Sequence, residues 1–294
     1  MNKISVLTTG LTGLVGSRIQ EMLKDKYEFF NMDLTTGVDI TNKNKIENFV
    51  KEHPAKIMIH LAGYTNVNGA FDQTNDKNGV CYQVNVVGTK NIVDICKENN
   101  IYLINISSDF VFAGDKSEPY IETDPRNPIE WYGKTKAWAE EEIEKTLDHY
   151  AIARIGYPFR AKFEAKPDMV SKIKQGLNDQ SLYPQFSDMI ITPTYIDDIA
   201  RAIDRMIELQ PTGIYHLHNS TSLSPFELAK KIATTFGFNP KVIKEGSLEE
   251  YLKTTNRPYQ KTLYMNNKKA EIELGINPMT IDEALMDIKK QLTN

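Results

Sequence analysis

Tyr132-Gly133-Lys134-Thr135-Lys136 sets a phenol and an ammonium four residues apart, a spacing that puts both on one face of a helix. A free tyrosine ionises near ~10, too high for proton transfer at neutral pH, and a neighbouring cation favours the phenolate and brings the group into a useful range. Spacing alone is weak, because Tyr264-Met265-Asn266-Asn267-Lys268 repeats it. Setting separates the two. Tyr132 follows an apolar run that ends in Ser107-Ser108, and a hydroxyl at the carboxyl end of a parallel strand sits where ligands bind in such sheets. Read by itself, Ser108 is a capping serine.

A second constellation lies near the start. Gly10-Leu11-Thr12-Gly13-Leu14-Val15-Gly16 directly follows the apolar run Ile4–Leu7 and opens an amphipathic stretch. In a dinucleotide fingerprint the first glycine permits the tight turn, the second lets the backbone approach a pyrophosphate, and the third lets helix pack on strand. Backbone N–H groups and the helix dipole then hold the negative charge. Three glycines can equally be a turn without a ligand. Asp33 tilts the reading: it closes the second apolar run, seventeen residues beyond Gly16, near the ~20 expected of the carboxylate that accepts from the adenosine ribose. Such a carboxylate repels a 2′-phosphate, and Leu34-Thr35-Thr36-Gly37 offers no arginine to hold one. The expected cofactor is NAD(H), with NADP(H) as the alternative.

The elements that must position these groups follow from periodicity. Ile4–Leu7, Glu28–Met32, Ile57–Leu61 and Ile101–Ile106 read as strands; Leu14–Leu23, Lys43–Lys51 and Val80–Glu98 read as helices. Alternation of this kind predicts an α/β fold, a Rossmann-type doubly wound parallel sheet with helices on both faces. After about residue 155 prolines and glycines interrupt the pattern. The expected division is a dinucleotide-binding domain over 1–156, rejoined by about 186–208, and a smaller substrate-binding lobe from 157–185 and 209–294. Within it Ser224-Pro225-Phe226-Glu227 is a capping box opening a helix to about Phe236, and Thr280–Leu292 is a further helix.

Composition bounds the function. The 294 residues carry 35 Lys+Arg against 39 Asp+Glu, a net charge of −4, which leaves no electrostatic footprint for nucleic acid or an anionic membrane. No apolar run approaches the ~18–20 residues of a bilayer span, and the first residues lack the pattern of a signal peptide. Cys81 and Cys96, fourteen residues apart in between, form neither a CxxC pair nor a framework, so a cytoplasmic location is expected. His216 and His218 face one side of an expected strand, but without further ligands at metal spacing they read as packing, and no metal is expected. Asp197-Asp198 reads as the start of a helix over Ile199–Ile207.

Motif order adds a resemblance. GLTGLVG at 10–16, the acidic end of the second strand, His60-Leu61-Ala62-Gly63, and SSDFVFAG at 107–114 ahead of WYGKTK resemble an extended short-chain dehydrogenase/reductase. Within that superfamily the chain most resembles the dTDP-4-dehydrorhamnose reductase family, whose Ser-Thr-Asp-Tyr-Val-Phe-x-Gly is similar to residues 107–114. Glu118-Pro119-Tyr120, Asn127-Pro128, Thr192–Ala200, Arg257-Pro258 and Leu274–Pro278 continue the likeness in order over nearly the whole chain. The resemblance implies reduction of an NDP-4-keto-6-deoxyhexose, with Ser108, Tyr132 and Lys136 catalytic. It implies a cofactor surrounded by Gly10, Thr12, Gly13, Leu14, Val15, Gly16, Asp33, Asp39, Ile40, Leu61, Ala62, Gly63, Tyr64, Ser107, Tyr132 and Lys136. Ser108, Asp109, Tyr157 and Arg257 would meet the nucleotide-sugar substrate, and Asn85 corresponds to an asparagine whose role is structural or functional. Dimers are frequent among such relatives, so a homodimer is an expected partner state. Three departures stand out: Leu14 where glutamine is usual, Ser108 for threonine, and no tryptophan in Arg154-Ile155-Gly156-Tyr157-Pro158. They leave sugar and base open. Phe110 after Asp109, where dehydratases carry glutamate, disfavours dehydration; epimerisation and a non-catalytic nucleotide-binding subunit are the alternatives.

Overall fold

The structure, a computed structural model, describes residues 3–293. Its elements run β1 (Ile4–Thr9), α1 (Leu14–Leu23), β2 (Tyr27–Met32), α2 (Lys43–Glu52), β3 (Ile57–His60), α3 (Val67–Phe71), α4 (Val80–Tyr82), α5 (Thr89–Asn99), β4 (Tyr102–Ser108), α6 (Trp131–Thr146) and β5 (Tyr150–Ile155). Then follow β6 (Pro158–Phe159), α7 (Met169–Asn178), β7 (Gln185–Phe186), β8 (Thr194–Tyr195), α8 (Ile196–Leu209), β9 (Gly213–His216), α9 (Pro225–Phe236), β10 (Glu245–Gly246), α10 (Leu248–Leu252), α11 (Lys268–Leu274) and α12 (Ile281–Thr293).

Six strands pair in the order β2-β1-β3-β4-β5-β9, every pair parallel. Every residue of β3 and β4 is buried, as continuous apolar strands must be when helices cover both faces. The side-chain period of two sorts them between two cores. Ile57, Ile59, Tyr102, Ile104, Ile106, Ala151 and Ala153 pack with α1, α8 and α11. Met58, Leu103 and Ile152 pack with α2, α5 and Ile143 of α6. The chain leaves β1 toward β2 on one side and returns to β3 on the other, and this switch places the ligand crevice at the carboxyl ends of β1 and β3.

The third large core joins α7, α9 and α12 to Phe159, Ile191 and Tyr195, which makes the smaller lobe. The capping box forms: Ser224 Oγ accepts from Glu227 N at 3.1 Å and Glu227 Oε2 accepts from Ser224 N at 2.8 Å. Asp197 and Asp198 occupy the first turn of α8, and Asp197 accepts two 2.7 Å hydrogen bonds from Arg18 of α1. Within the stretch 209–294, read from sequence as lobe, β9 lies in the sheet and Ala270 and Leu274 of α11 lie in its core. A strand of four residues followed by irregular chain carries too little pattern to reveal that return. The single helix read over Val80–Glu98 also differs, because its middle, Gln83–Gly88, is π-helical. Among the described residues no helix is long and apolar enough to cross a membrane.

Candidate active site

The glycine turn is built as the spacing requires. Gly10 has φ +67°, and a Cβ there would lie 2.7 Å from Ala62 N; one on Gly16 would lie 2.6 Å from Leu11 Cα. Gly13 N-caps α1 without any side-chain acceptor, which leaves first-turn N–H groups for an anion. The residues present therefore fit a dinucleotide. Asp33 directly follows β2 and accepts from Thr12 Oγ1 at 3.0 Å and Asn31 Nδ2 at 2.5 Å, while its other oxygen accepts from Thr35 N at 2.9 Å. Partial burial raises this carboxyl, but the hydrogen bonds from Thr35, Asn31 and Thr12 outweigh it and hold it below the usual range. Asp33 thus ties the glycine turn to the end of β2. Asp39 accepts from Thr41 N at 2.9 Å, and Ile40 is buried where a Cβ on Gly88 would strike it at 2.7 Å.

Leu61–Tyr64 leaves β3 against the glycine turn. Ala62 N donates to Thr9 Oγ1 at 3.1 Å, and Thr9 Oγ1 lies 2.6 Å from His60 Nδ1. Burial brings His60 down to about 3, so its ring is neutral and structural. Tyr64 N donates to Asn85 Oδ1 at 2.7 Å, and Asn85 Nδ2 donates to Thr135 Oγ1 at 3.0 Å. Thr135 in turn donates to Tyr132 O at 2.8 Å. Asn85 therefore straps the loop after β3 to α6. Gly63 sits under this strap, where a Cβ would meet Asn85 Oδ1 at 3.3 Å.

Ser107 and Ser108 end β4, and α6 lays Tyr132 and Lys136 beside them. The helix presses so close that a Cβ on Gly133 would lie 2.1 Å from Phe110 O; this is why a glycine follows the tyrosine. Lys136 Nζ donates to Ile106 O at 2.8 Å, and burial, opposed by Glu140 and Cys81, brings the ammonium down to about 8. The Tyr132 hydroxyl faces that of Ser108. Burial holds the phenol above its ordinary value despite that hydrogen bond, with Asp109, Cys81 and Glu130 adding to the rise. The sequence reading expects the phenol to be lowered by Lys136; here desolvation wins and the group stays protonated. Ser108 Oγ lies 3.0 Å from Asp109 Oδ1 and accepts from Phe110 N at 3.2 Å.

The expected substrate residues gather on the lobe side of this group. Tyr157 follows β5 with φ +46°, an outlier for a bulky residue that persists only where the surrounding structure over-determines it, and its ring lies 6.1 Å from that of Phe110. Arg257 reaches in from the lobe, donating to Glu130 Oε2 at 3.2 Å and Asn68 Oδ1 at 3.0 Å, with its guanidinium 4.2 Å from the Tyr259 ring. Glu130, buried at the N-cap of α6, is a site residue that sequence reasoning missed; its place two residues before Tyr132 was the available signal. The other Tyr-Lys pair lies elsewhere, with Tyr264 39% exposed and Lys268 3.6 Å from Glu271. His216 and His218 are buried against Phe112 and Arg154, and among the described residues no group of three His, Cys, Asp or Glu could hold a metal.

A family model described as RmlD substrate binding domain matches residues 4–294. The spore coat polysaccharide biosynthesis protein SpsK of Bacillus subtilis is 29% identical over 286 residues, 96% of this chain and 95% of that protein. A dTDP-4-dehydrorhamnose reductase of Aggregatibacter actinomycetemcomitans is 27% identical, covering 97% of this chain and 98% of its own. Among solved structures, dTDP-4-dehydrorhamnose reductase from Bacillus anthracis in complex with NADP superposes with a TM-score of 0.88 at 27% identity, over 99% of this chain and all of the other.

Proposed function

The chain belongs to the RmlD substrate binding domain family, and from that premise we propose that it reduces an NDP-4-keto-6-deoxyhexose at C4, as a reductase of the dTDP-4-dehydrorhamnose type. The convergence of Tyr132, Ser108 and Lys136 at the carboxyl end of β4, beside the glycine turn, carries this reading. Gly10–Gly16, Asp33 and the Leu61–Tyr64 loop would hold a nicotinamide dinucleotide, which in its reduced form would supply the hydride. Tyr132 donates its proton to the sugar's carbonyl oxygen; a phenol kept protonated by burial suits that direction of transfer. Ser108 hydrogen-bonds the same oxygen. Lys136, fixed by Ile106 O, presents its remaining donors toward the nicotinamide ribose. Tyr157 and Arg257 face the sugar and its diphosphate. Asp33 favours NADH, whereas the Bacillus anthracis relative is described with NADP, so both cofactors belong in the assay. Two buried, unpaired cysteines fit a cytoplasmic enzyme.

The test is turnover of 4-keto-6-deoxyhexose nucleotides on a panel of bases with NADH and NADPH. One reduced cofactor should be consumed per sugar, and Tyr132→Phe should lower kcat by about 10²–10⁴-fold with cofactor binding kept. Sugar conversion without net cofactor consumption would mean epimerisation and overturn the reading.

A further inference from the structure

Asp109 is the carboxyl nearest the reacting group that the mechanism above leaves unused. It is fully buried. Its Oδ1 lies 3.0 Å from Ser108 Oγ, and its Oδ2 has no hydrogen-bond partner among the described residues. Gly156 packs against it so closely that a Cβ there would lie 2.1 Å from Oδ2. Among the described residues no cation pairs with it. The titratable groups that face it are Glu130 and Tyr132 at the start of α6 and Tyr157 after β5, with Arg257 turned to Glu130 instead.

The hydrogen-bonding capacity of Ser108 decides what Asp109 must be. A hydroxyl has one proton to give and two acceptor places. Phe110 N–H fills one acceptor place. If Asp109 is ionised it can only accept, so it takes the Ser108 proton, and nothing is left to give a ketone oxygen. If Asp109 is protonated it can donate into the second acceptor place, and the Ser108 O–H points to the Tyr132 hydroxyl, on the side where a ketone oxygen would take it over. We propose that Asp109 acts as a neutral carboxylic acid that donates to Ser108 and so turns the serine hydroxyl toward the carbonyl oxygen of the substrate. Asp109 is a positioning residue: it keeps its proton throughout, and the proton added to the sugar still comes from Tyr132. Its surroundings agree, since burial and the charge of Glu130 push this carboxyl up to about 7 against the pull of Ser108 and the Asp109 and Phe110 amides.

The inference rests on the reductase reading, and two measurements separate the failures. Wild-type kcat should fall through an alkaline limb centred near the Asp109 ionisation, about fivefold between pH ~7 and pH ~8. Asp109→Asn keeps an N–H donor beside Ser108 at every pH, so it should retain turnover near neutrality and lose the limb near 7, keeping only the later fall as Lys136 ionises near about 8, with KM little changed. An Asp109→Asn enzyme that shows the wild-type alkaline limb overturns the proposal. Independently of turnover, NMR of isotope-labelled aspartate carboxyls, assigned by the signal missing in the variant, should find Asp109 protonated at about pH 6. A carboxylate already ionised there overturns the proposal whether or not a substrate has been found, while a protonated Asp109 in a protein that reduces no sugar nucleotide would indict the reductase reading alone.

Discussion

The two sides of the cleft are made of different material. The side after β1 is backbone: Gly10, Gly13 and Gly16 contribute no side chains, and α1 begins without a side-chain cap. The side formed by α6 is crowded with buried ionisable groups. Lys136 is 7% exposed, and one turn on, the wholly buried Glu140 takes two hydrogen bonds from Arg154, at 2.6 and 3.0 Å, and a third from Arg126 at 3.0 Å. Binding a diphosphate needs many weak donors at fixed positions, which a turn supplies. Holding one phenol and one ammonium in useful protonation states needs a low-dielectric setting, and charges placed there must be paired. The first side is exposed to error through shape, the second through charge.

Substitutions can break that contrast. The largest effect is expected for Glu140→Gln, which keeps the volume but leaves Arg154, 1% exposed, without its carboxylate. Removing one member of a buried pair should cost about 3–5 kcal/mol, read by denaturant unfolding; a loss below ~1 kcal/mol would show that His216, 3.4 Å from Arg154, can stand in. On the turn side Gly10→Ala should cost less in stability, about 1–2 kcal/mol for the left-handed backbone, yet weaken cofactor affinity because the new methyl pushes Ala62 away. Titration of the variant with NADH and NADPH reports this, and unchanged affinity would mean the turn has slack.

The smallest effect sharpens the charge side. Burial lowers His218 to about 3, and neither ring nitrogen has a hydrogen-bond partner among the described residues. A folded pKa below the unfolded ~6.5 makes the unfolded chain bind more protons between these values. The contribution is therefore present above about 6.5 and is lost as pH falls toward about 3. His218→Leu should be near neutral in stability at pH ~7 and should melt with a shallower acid dependence than the wild type. Parallel pH profiles would assign the acid sensitivity to His60 and His216.

What the sequence discloses follows the same division. The glycine turn, Asp33 and the alternating strands are contiguous patterns, and each lies where its periodicity puts it. The capping box at Ser224 was legible for the same reason. The environment of Tyr132 was not. Asp109, Tyr157 and Arg257 were expected only through the family resemblance and Glu130 not at all, because they come from separate stretches and no spacing in the chain announces that they meet. The direction of the Tyr132 shift was hidden too, because a motif displays the neighbouring lysine but not the loss of water.

The π-helical stretch at Gln83–Gly88 sets a rule of length. A π turn holds an extra residue relative to its α-helical flanks, and that surplus is what points Asn85 at Tyr64 and Thr135 together. Drop one residue and the register relaxes to ordinary α-helix, carrying the amide about 100° round the axis and unbuckling the loop over the crevice from the wall that bears the phenol. Substitutions on the outer face of this segment are tolerable; insertions and deletions are not.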